Sequence, residues 1–321
     1  MDVTLHAAMV WRLIAEQFPE LGGLEVRRFG AGWDHELFGV GPDWILRFPR
    51  RAERVPWLVR EIEIMRPVSR ALGLLVPQFE LVGEPSAIFP WPFVGYRRIV
   101  GVAADQNPAL DLAGLAGNVA EVLGRLHRID PAVIPPTPVG WEREPWGQLR
   151  AELTAVAGTV RPLLDPGLLA KAEPYLAGRV PEPEQDGPRR FIHNDICPDH
   201  IITSTGTGRL TGLIDFTDAM TGEPVLDFVG LIGIGGYEFI GTVLDRYDLG
   251  LERGFTGKLE WLARTLTLRW LAEAATDPDA PEDDIRKLQP WVPKPLAVHP
   301  ASPVLVTGPG QRGSMIISGR T

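Results

Sequence analysis

Two short apolar runs in this chain each end in a polar turn that presents one aspartate, and the two aspartates stand twenty residues apart. In FIHNDICPDHIITS, Phe191 and Ile192 lead through His193 and Asn194 to Asp195; in LTGLIDFTDA, Leu213 and Ile214 lead to Asp215. A carboxylate at the end of a buried strand is costly unless it binds a cation or performs chemistry. One such turn is ordinary, because aspartate is common in turns. Two of the same design, with His200 between them, demand a fold in which neighbouring buried strands deliver both acids to one place.

The 321 residues suggest about two domains at roughly 150 residues each. Residues 5–18 carry apolar side chains at helical spacing and stop at Pro19. LEVRRFG (24–30), ELFGVG (36–41), DWILRFP (43–49), FELVG (79–83) and FVGYRRIV (93–100) read as strands, and 55–72 as a long helix. Past residue 110 the character changes. Residues 112–128 and 146–164 are helical in pattern, PEPEQDGP (181–188) is a loop, and 189–194, 200–204 and 209–216 are short strands. Residues 224–275 are helical again, and from 276 onward prolines recur without periodicity, which predicts an extended, partly disordered tail. Strands followed by helices indicate an α+β fold. The expected division is a lobe over 1–100, a larger and mainly helical lobe over 101–290, and a Pro-rich tail over 291–321.

Charge and cysteine content narrow the partners. The formal net charge is −9, which opposes non-specific nucleic-acid binding. A single cysteine, Cys197, excludes an intrachain disulfide framework. The apolar stretch from Phe228 to Tyr237 is far shorter than the roughly 20 residues a membrane helix needs. MDVTLHAAMVWRLI has neither a basic head nor a small-residue cleavage site, so a cytoplasmic protein without a membrane partner is expected. The chain has only four lysines, the first at Lys171, so no lysine of the first lobe can bind a nucleotide.

The block from His193 to Asp215 resembles the catalytic region of the aminoglycoside and macrolide phosphotransferases, which share the protein-kinase-like fold. In that family His-Gly-Asp is followed after four residues by Asn and about fifteen residues later by Ile-Asp-Trp or Ile-Asp-Phe. Here the run is His193-Asn194-Asp195, then His200, then Ile214-Asp215-Phe216. The macrolide branch is similar at His200, in Ile214-Asp215-Phe216-Thr217-Asp218-Ala219, at Glu223-Pro224 and in Asp227-Phe228-Val229. The resemblance spans about residues 24–275 and implies a bilobal kinase-like fold with ATP or GTP as phosphate donor and Mg2+ as cofactor. It implies Asp195 as the catalytic aspartate that takes the acceptor's proton, and Asp215 as the magnesium ligand. His200 stands where asparagine usually binds metal, and magnesium prefers oxygen, so His200 is expected on the metal, on its water or on a phosphate oxygen. Asn194 replaces the family glycine. Gly30 and Gly32 fall in the loop expected to cover the phosphates. Arg47 stands in the place of the phosphate-binding lysine, with Glu61 as its expected ion-pair partner and Glu63 as second choice. Residues 96–100, including Arg98 and Ile99, are the expected hinge against the base. His127 reads as structural. No GxxxxGK[ST] run is present, which excludes a P-loop enzyme.

The implied acceptor is a small-molecule antibiotic of macrolide, aminoglycoside or nucleoside type, and the protein a monomer or weak dimer. Ten acids and two bases lie between 195 and 252, an excess that attracts cationic substrates, with Asp199, Asp218 and Glu223 as the expected acceptor contacts. Trp141, Trp146, Trp261, Trp270 and Trp291 suit either the core or an apolar pocket. Rival readings are a small-metabolite kinase of the same fold, a nucleotide-binding pseudoenzyme, and a zinc enzyme built on His193, Cys197 and His200.

Overall fold

Alternating apolar residues in the first hundred positions build one antiparallel sheet. The computed structural model describes residues 5–31, 34–138, 145–184, 187–251 and 253–276. After α1 (Ala7–Gln17) come β1 (Val26–Ala31), β2 (His35–Val40) and β3 (Trp44–Pro49); then α2 (Val55–Leu72), β4 (Leu81–Gly83) and β5 (Phe93–Arg97). The strands are ordered β1-β2-β3-β5-β4. Phe38, Val40, Leu46, Phe48 and Phe93 meet Val10, Leu13 and Ile14 of α1 in one buried cluster. Phe48 stacks on Phe93 with centroids 4.5 Å apart and takes Phe89 edge-on at 5.2 Å, the offset geometries that aromatic quadrupoles favour.

The long helix divides differently from the chain. Ile64, Met65, Val68 and Leu72 of α2 belong to the core of the second lobe, alongside Leu115, Val119 and Leu123. Arg60, also on α2 and buried, donates to Ala219 O at 2.7 Å and to Pro135 O and Pro136 O at 3.1 Å each. The first lobe's helix is thereby fastened to the second.

The chain crosses between lobes at 98–101. Gly101 has φ 151°, and a Cβ there would meet Thr203 O at 2.5 Å, so the crossing needs glycine. The second lobe holds β6 (Val102–Ala103), α3 (Leu112–Leu126), α4 (Pro145–Val160), α5 (Pro166–Leu176), β7 (Arg190–Ile192), β8 (Ile201–Thr203), β9 (Leu210–Leu213), β10 (Met220–Gly222), α6 (Val225–Val229), α7 (Ile232–Leu244) and α8 (Phe255–Thr276). The strands form two small sheets, β6-β8-β9 and β7-β10. Their registers position the site. Ile201 opposite Leu213 sets His200 beside Asp215, and Met220 opposite Ile192 lays the 193–195 loop against 215–219.

The structure departs from the sequence reading in three places. The helical run 224–275 is three helices, with non-helical Gly235 and Gly236 inside α7. α5 was not expected, since Pro166, Gly167 and Pro174 argue against a helix; Asp165 starts it by accepting from Gly167 N and Leu168 N at 2.8 and 2.9 Å. β6 and β10, of two and three residues, are too short to show a period. The expected tail lies outside the described residues. No helix among the described residues is long and apolar enough to cross a membrane.

Candidate active site

Both aspartate turns use left-handed backbone at a residue other than glycine. Asn194 has φ 65° and Asp215 φ 64°. Such conformations cost free energy and persist where surrounding contacts impose them. At Asn194 the contacts come from Asp227, which is fully buried. Its Oδ2 accepts from His193 N at 3.0 Å and its Oδ1 from Asn194 N at 2.7 Å. Asp227 Oδ2 also lies 2.9 Å from His127 Nε2, and His127 Nδ1 lies 2.7 Å from the Tyr247 hydroxyl. The buried chain Tyr247–His127–Asp227 thus shapes the turn that carries Asp195. Gly230 packs directly on Ile196 O, where a Cβ has no room, and holds the loop from below.

His193 Nε2 donates to Ile214 O at 3.0 Å, and its Nδ1 accepts from Asp195 N at 3.3 Å. Both ring nitrogens are therefore engaged, Nε2 joining the two turns and Nδ1 closing the turn that carries Asp195. Burial, outweighing the charge of Asp227, lowers the His193 pKa to about 4 and keeps the ring neutral. The zinc reading built on His193 loses that ligand. The side chains that converge instead are Asp195, Cys197 and His200.

Asp195 is 4% exposed, and its Oδ1 has no hydrogen-bond partner among the described residues. Burial pushes its pKa well above the carboxylate range, against the opposing charge of His200. His200 Nδ1 donates to Asp195 O at 2.8 Å and stands 3.3 Å from Asp195 Oδ2; Nε2 is 3.9 Å from Asp215 Oδ2. Burial opposes the charge of His200, but Asp195 and Asp215 raise its pKa above the usual histidine value.

Across from them, Arg47 of β3 is 6% exposed and gathers three oxygens. Nη1 donates to Glu61 Oε1 at 2.8 Å, while Nη2 donates to Thr217 Oγ1 at 2.6 Å and to Asp215 Oδ1 at 3.3 Å. The Thr217 hydroxyl lies 2.8 Å from Asp215 Oδ1 and 3.0 Å from Glu61 Oε2, so one side chain links both lobes. Burial alone would raise the Asp215 pKa, but Arg47 and His200 hold it below the usual carboxylate range. Asp215 therefore stays ionised, and its side chain is 39% exposed. An ionised, accessible oxygen donor suits magnesium; the nitrogen of His200 suits it less well. Asp34, at the edge of the loop, joins the same field. Its pKa is raised by burial and by Asp215, against Arg54 at 3.0 Å and Arg51 at 3.3 Å.

The remaining expected residues divide. Asp218 is 9% exposed, and burial, Asp215 and Asp34 raise its pKa to about 7, against the charges of Arg54 and His200. Asp199 pairs with Asp105 beyond β6, and burial and Asp199 raise Asp105 to about 6. Glu223 is not brought to the cluster. It is 3% exposed, with Oε1 2.8 Å from Lys258 Nζ and 3.0 Å from Gly187 N. Part of the acidic excess is partnered within the chain, since Asp227 is a buried acceptor and Asp248 pairs at the surface with Arg128 at 2.6 Å. Gly30 lies in β1, which shifts register between Arg28 and Gly30, whereas Gly32 lies outside the described residues. At the crossing, Arg98 N donates to Asp43 O at 2.7 Å and its guanidinium covers Phe29 at 5.4 Å. Ile99 packs against Gly212. Trp146 and Trp261 are buried with ring centroids 5.5 Å apart, and Trp270 joins the α4–α8 core. Trp261 also lines a cleft of about 550 Å³ with Tyr175, Glu182, Glu260 and Arg264. Trp141 and Trp291 lie outside the described residues.

Thr217, Asp227, Arg60 and Asp105 carry positional roles that their sequence neighbourhoods did not assign. Only the run from Ile214 to Ala219 and the triplet at 227–229 signalled two of them.

Residues 25–264 match the model of a family described as the phosphotransferase enzyme family. An uncharacterized protein of Bacillus subtilis (strain 168), YcbJ, is 40% identical over 58 residues, 18% of this chain; the match spans 19% of that relative's length. Among solved structures, the GDP complex of wild-type aminoglycoside 2'-phosphotransferase-IIIa matches with TM-score 0.67 and 24% identity, over 90% of this chain and 97% of that one. The apoenzyme of macrolide 2'-phosphotransferase MphH from Brachybacterium faecium matches with TM-score 0.60 and 20% identity, over 88% and 98%. At these identities the likeness is one of fold.

Proposed function

This chain belongs to the phosphotransferase enzyme family, and from that membership and the site geometry we propose that it transfers the terminal phosphoryl group of a nucleoside triphosphate to a hydroxyl of a natural-product antibiotic of macrolide, aminoglycoside or nucleoside type. The observation that carries the reading is the convergence of Asp195, with one unpartnered buried oxygen, on an ionised Asp215 clamped by Arg47. Phosphoryl transfer needs positioning and charge neutralisation more than covalent chemistry. Asp195 Oδ1 accepts the hydrogen bond of the acceptor hydroxyl, orients its lone pair for in-line attack and receives its proton. Arg47, held charged by Glu61 and Asp215, supplies a fixed donor fork for non-transferred phosphate oxygens. Asp215, with His200 beside it, would hold magnesium, which would supply neutralising charge to the phosphates. Arg98 and Ile99 face the base at the crossing, and the end of β1 at Gly30 leads into the turn that covers the phosphates. Asp199 and Asp218 border the acceptor side; Glu223 contributes through the fold.

The acceptor class is supported by the family and by the acceptors named for proteins of this fold, an aminoglycoside and a macrolide. The test is nucleotide consumption against panels of these antibiotics, with mass spectrometry of the product. One added phosphate on an antibiotic is the expected result; phosphorylation of a primary metabolite alone overturns the acceptor class.

Arg47→Lys keeps a charge beside buried Glu61 but loses the planar fork. The nucleotide KM should rise about 10-fold, the equivalent of roughly 1.4 kcal/mol, while the acceptor KM changes little. Steady-state kinetics with each substrate varied in turn checks this. A change confined to the acceptor KM removes Arg47 from the phosphate site.

A further inference from the structure

Cys197 has no place in the reaction above, yet the fold turns it toward two groups that do. The potential ligand atoms of Asp195, Cys197 and His200 all lie within 4.8 Å of one another. Asp195 Oδ1, in a residue 96% buried, has no partner among the described residues. The loop that presents the three is already closed on itself. His200 N donates to Cys197 O at 3.1 Å, His200 Nδ1 to Asp195 O at 2.8 Å, and Gly230 backs Ile196. Little reorganisation separates this arrangement from a coordination shell, in which zinc sits about 2.0 to 2.3 Å from oxygen, nitrogen and sulfur donors.

We propose that Asp195, Cys197 and His200 form an inhibitory site for zinc, separate in chemistry from the magnesium position at Asp215. A carboxylate, a thiolate and an imidazole make a donor set for a borderline-soft cation, and the thiolate discriminates against magnesium, a hard oxygen-seeking ion. On binding, the Cys197 S–H bond breaks and the sulfur lone pair forms the metal bond, while that proton and those carried by Asp195 and by the ligating nitrogen of His200 leave to solvent. Asp195 Oδ1 and one ring nitrogen of His200 provide two more bonds, and water takes the fourth position. Zinc then occupies the oxygen on which the acceptor hydroxyl depends, so inhibition is competitive with the acceptor. That consequence rests on the proposed phosphotransfer, whereas the binding itself does not. Because protons are released, zinc binds more tightly as pH rises.

Two measurements test the proposal. Cobalt(II) titrated into the magnesium-free protein reports the thiolate through its sulfur-to-metal charge-transfer absorption. A saturable band is expected, displaced by zinc, absent in Cys197→Ala and Cys197→Ser, and needing at least about 10-fold more cobalt in Asp195→Ala and His200→Ala. No band, or undiminished affinity in both ligand variants, overturns the site. In the second, turnover is followed at excess magnesium with free zinc set by a metal buffer. Wild type should be inhibited competitively with the acceptor, and Cys197→Ala, which should keep most basal turnover, should be at least about 10-fold less sensitive. Equal sensitivity overturns the inhibitory role. If no acceptor is ever phosphorylated, the phosphotransfer reading fails and the cobalt spectrum still decides the metal site.

Discussion

Asp195→Ala should lose at least about 10²-fold in turnover at saturating nucleotide, the lower end for removing a positioned general base, while remaining folded. The two halves of that expectation share a cause. A carboxylate 4% exposed with one unpartnered oxygen is held at a cost to stability, so removing it relieves an unfavourable burial and the melting temperature should not fall. Cys197→Ala, two residues away, should keep most activity, because burial drives the thiol pKa up and phosphoryl transfer to a hydroxyl needs no thiolate. The pH dependence follows from the same burial. The base must be ionised to accept a proton, and its pKa is raised, so activity should fall with decreasing pH from above the ordinary carboxylate range. Near-wild-type turnover in folded Asp195→Ala would remove Asp195 from the reaction, and a dead Cys197→Ala beside an active Asp195→Ala would overturn the kinase-like reading altogether.

The second large effect is on stability. Asp227→Ala should destabilise the protein by about 3–5 kcal/mol, the range for breaking a buried ionic network by removing one partner. The carboxylate accepts from His193 N and Asn194 N and bonds His127, all fully or nearly fully buried, so deletion leaves three polar groups without water or partner. At roughly 2–4 °C per kcal/mol for a lobe of this size, the melting temperature should drop by about 10 °C. Asn194, no longer held at φ 65°, should then relax and misplace Asp195, so turnover falls even below the melting transition. Thermal unfolding followed together with turnover at low temperature checks both halves. A variant that melts like wild type would show that the left-handed turn is maintained by the loop's own packing.

These outcomes separate what the chain specifies locally from what its folding adds. Strands such as DWILRFP and the helix over 55–72 were legible because each depends on a period of two or 3.6 residues, written in near neighbours. The paired acid turns were legible for a related reason, since a short strand and a turn need only a few residues to define them. Arg47 and Glu61 were matched through the family resemblance, and the structure brings their side chains to 2.8 Å. Tertiary structure alone decided the rest. Thr217 reaches Arg47 across 170 residues and Arg60 reaches Ala219 across 159, contacts that exist only once the sheet register and the seating of α2 on the second lobe are set. Asp227 stood out in the sequence only as part of the Asp227-Phe228-Val229 triplet similar to the macrolide branch, with no role attached. Nothing in its flanking sequence says that its carboxylate turns inward to two backbone amides 33 and 34 residues earlier. At Cys197 the sequence put the thiol near His200 but drew in His193 as third ligand; only the closure of the loop, backed by Gly230, decides that Asp195 converges with them instead. Residue type and spacing determine which groups are available, and the long-range packing that excludes water determines which of them face one another.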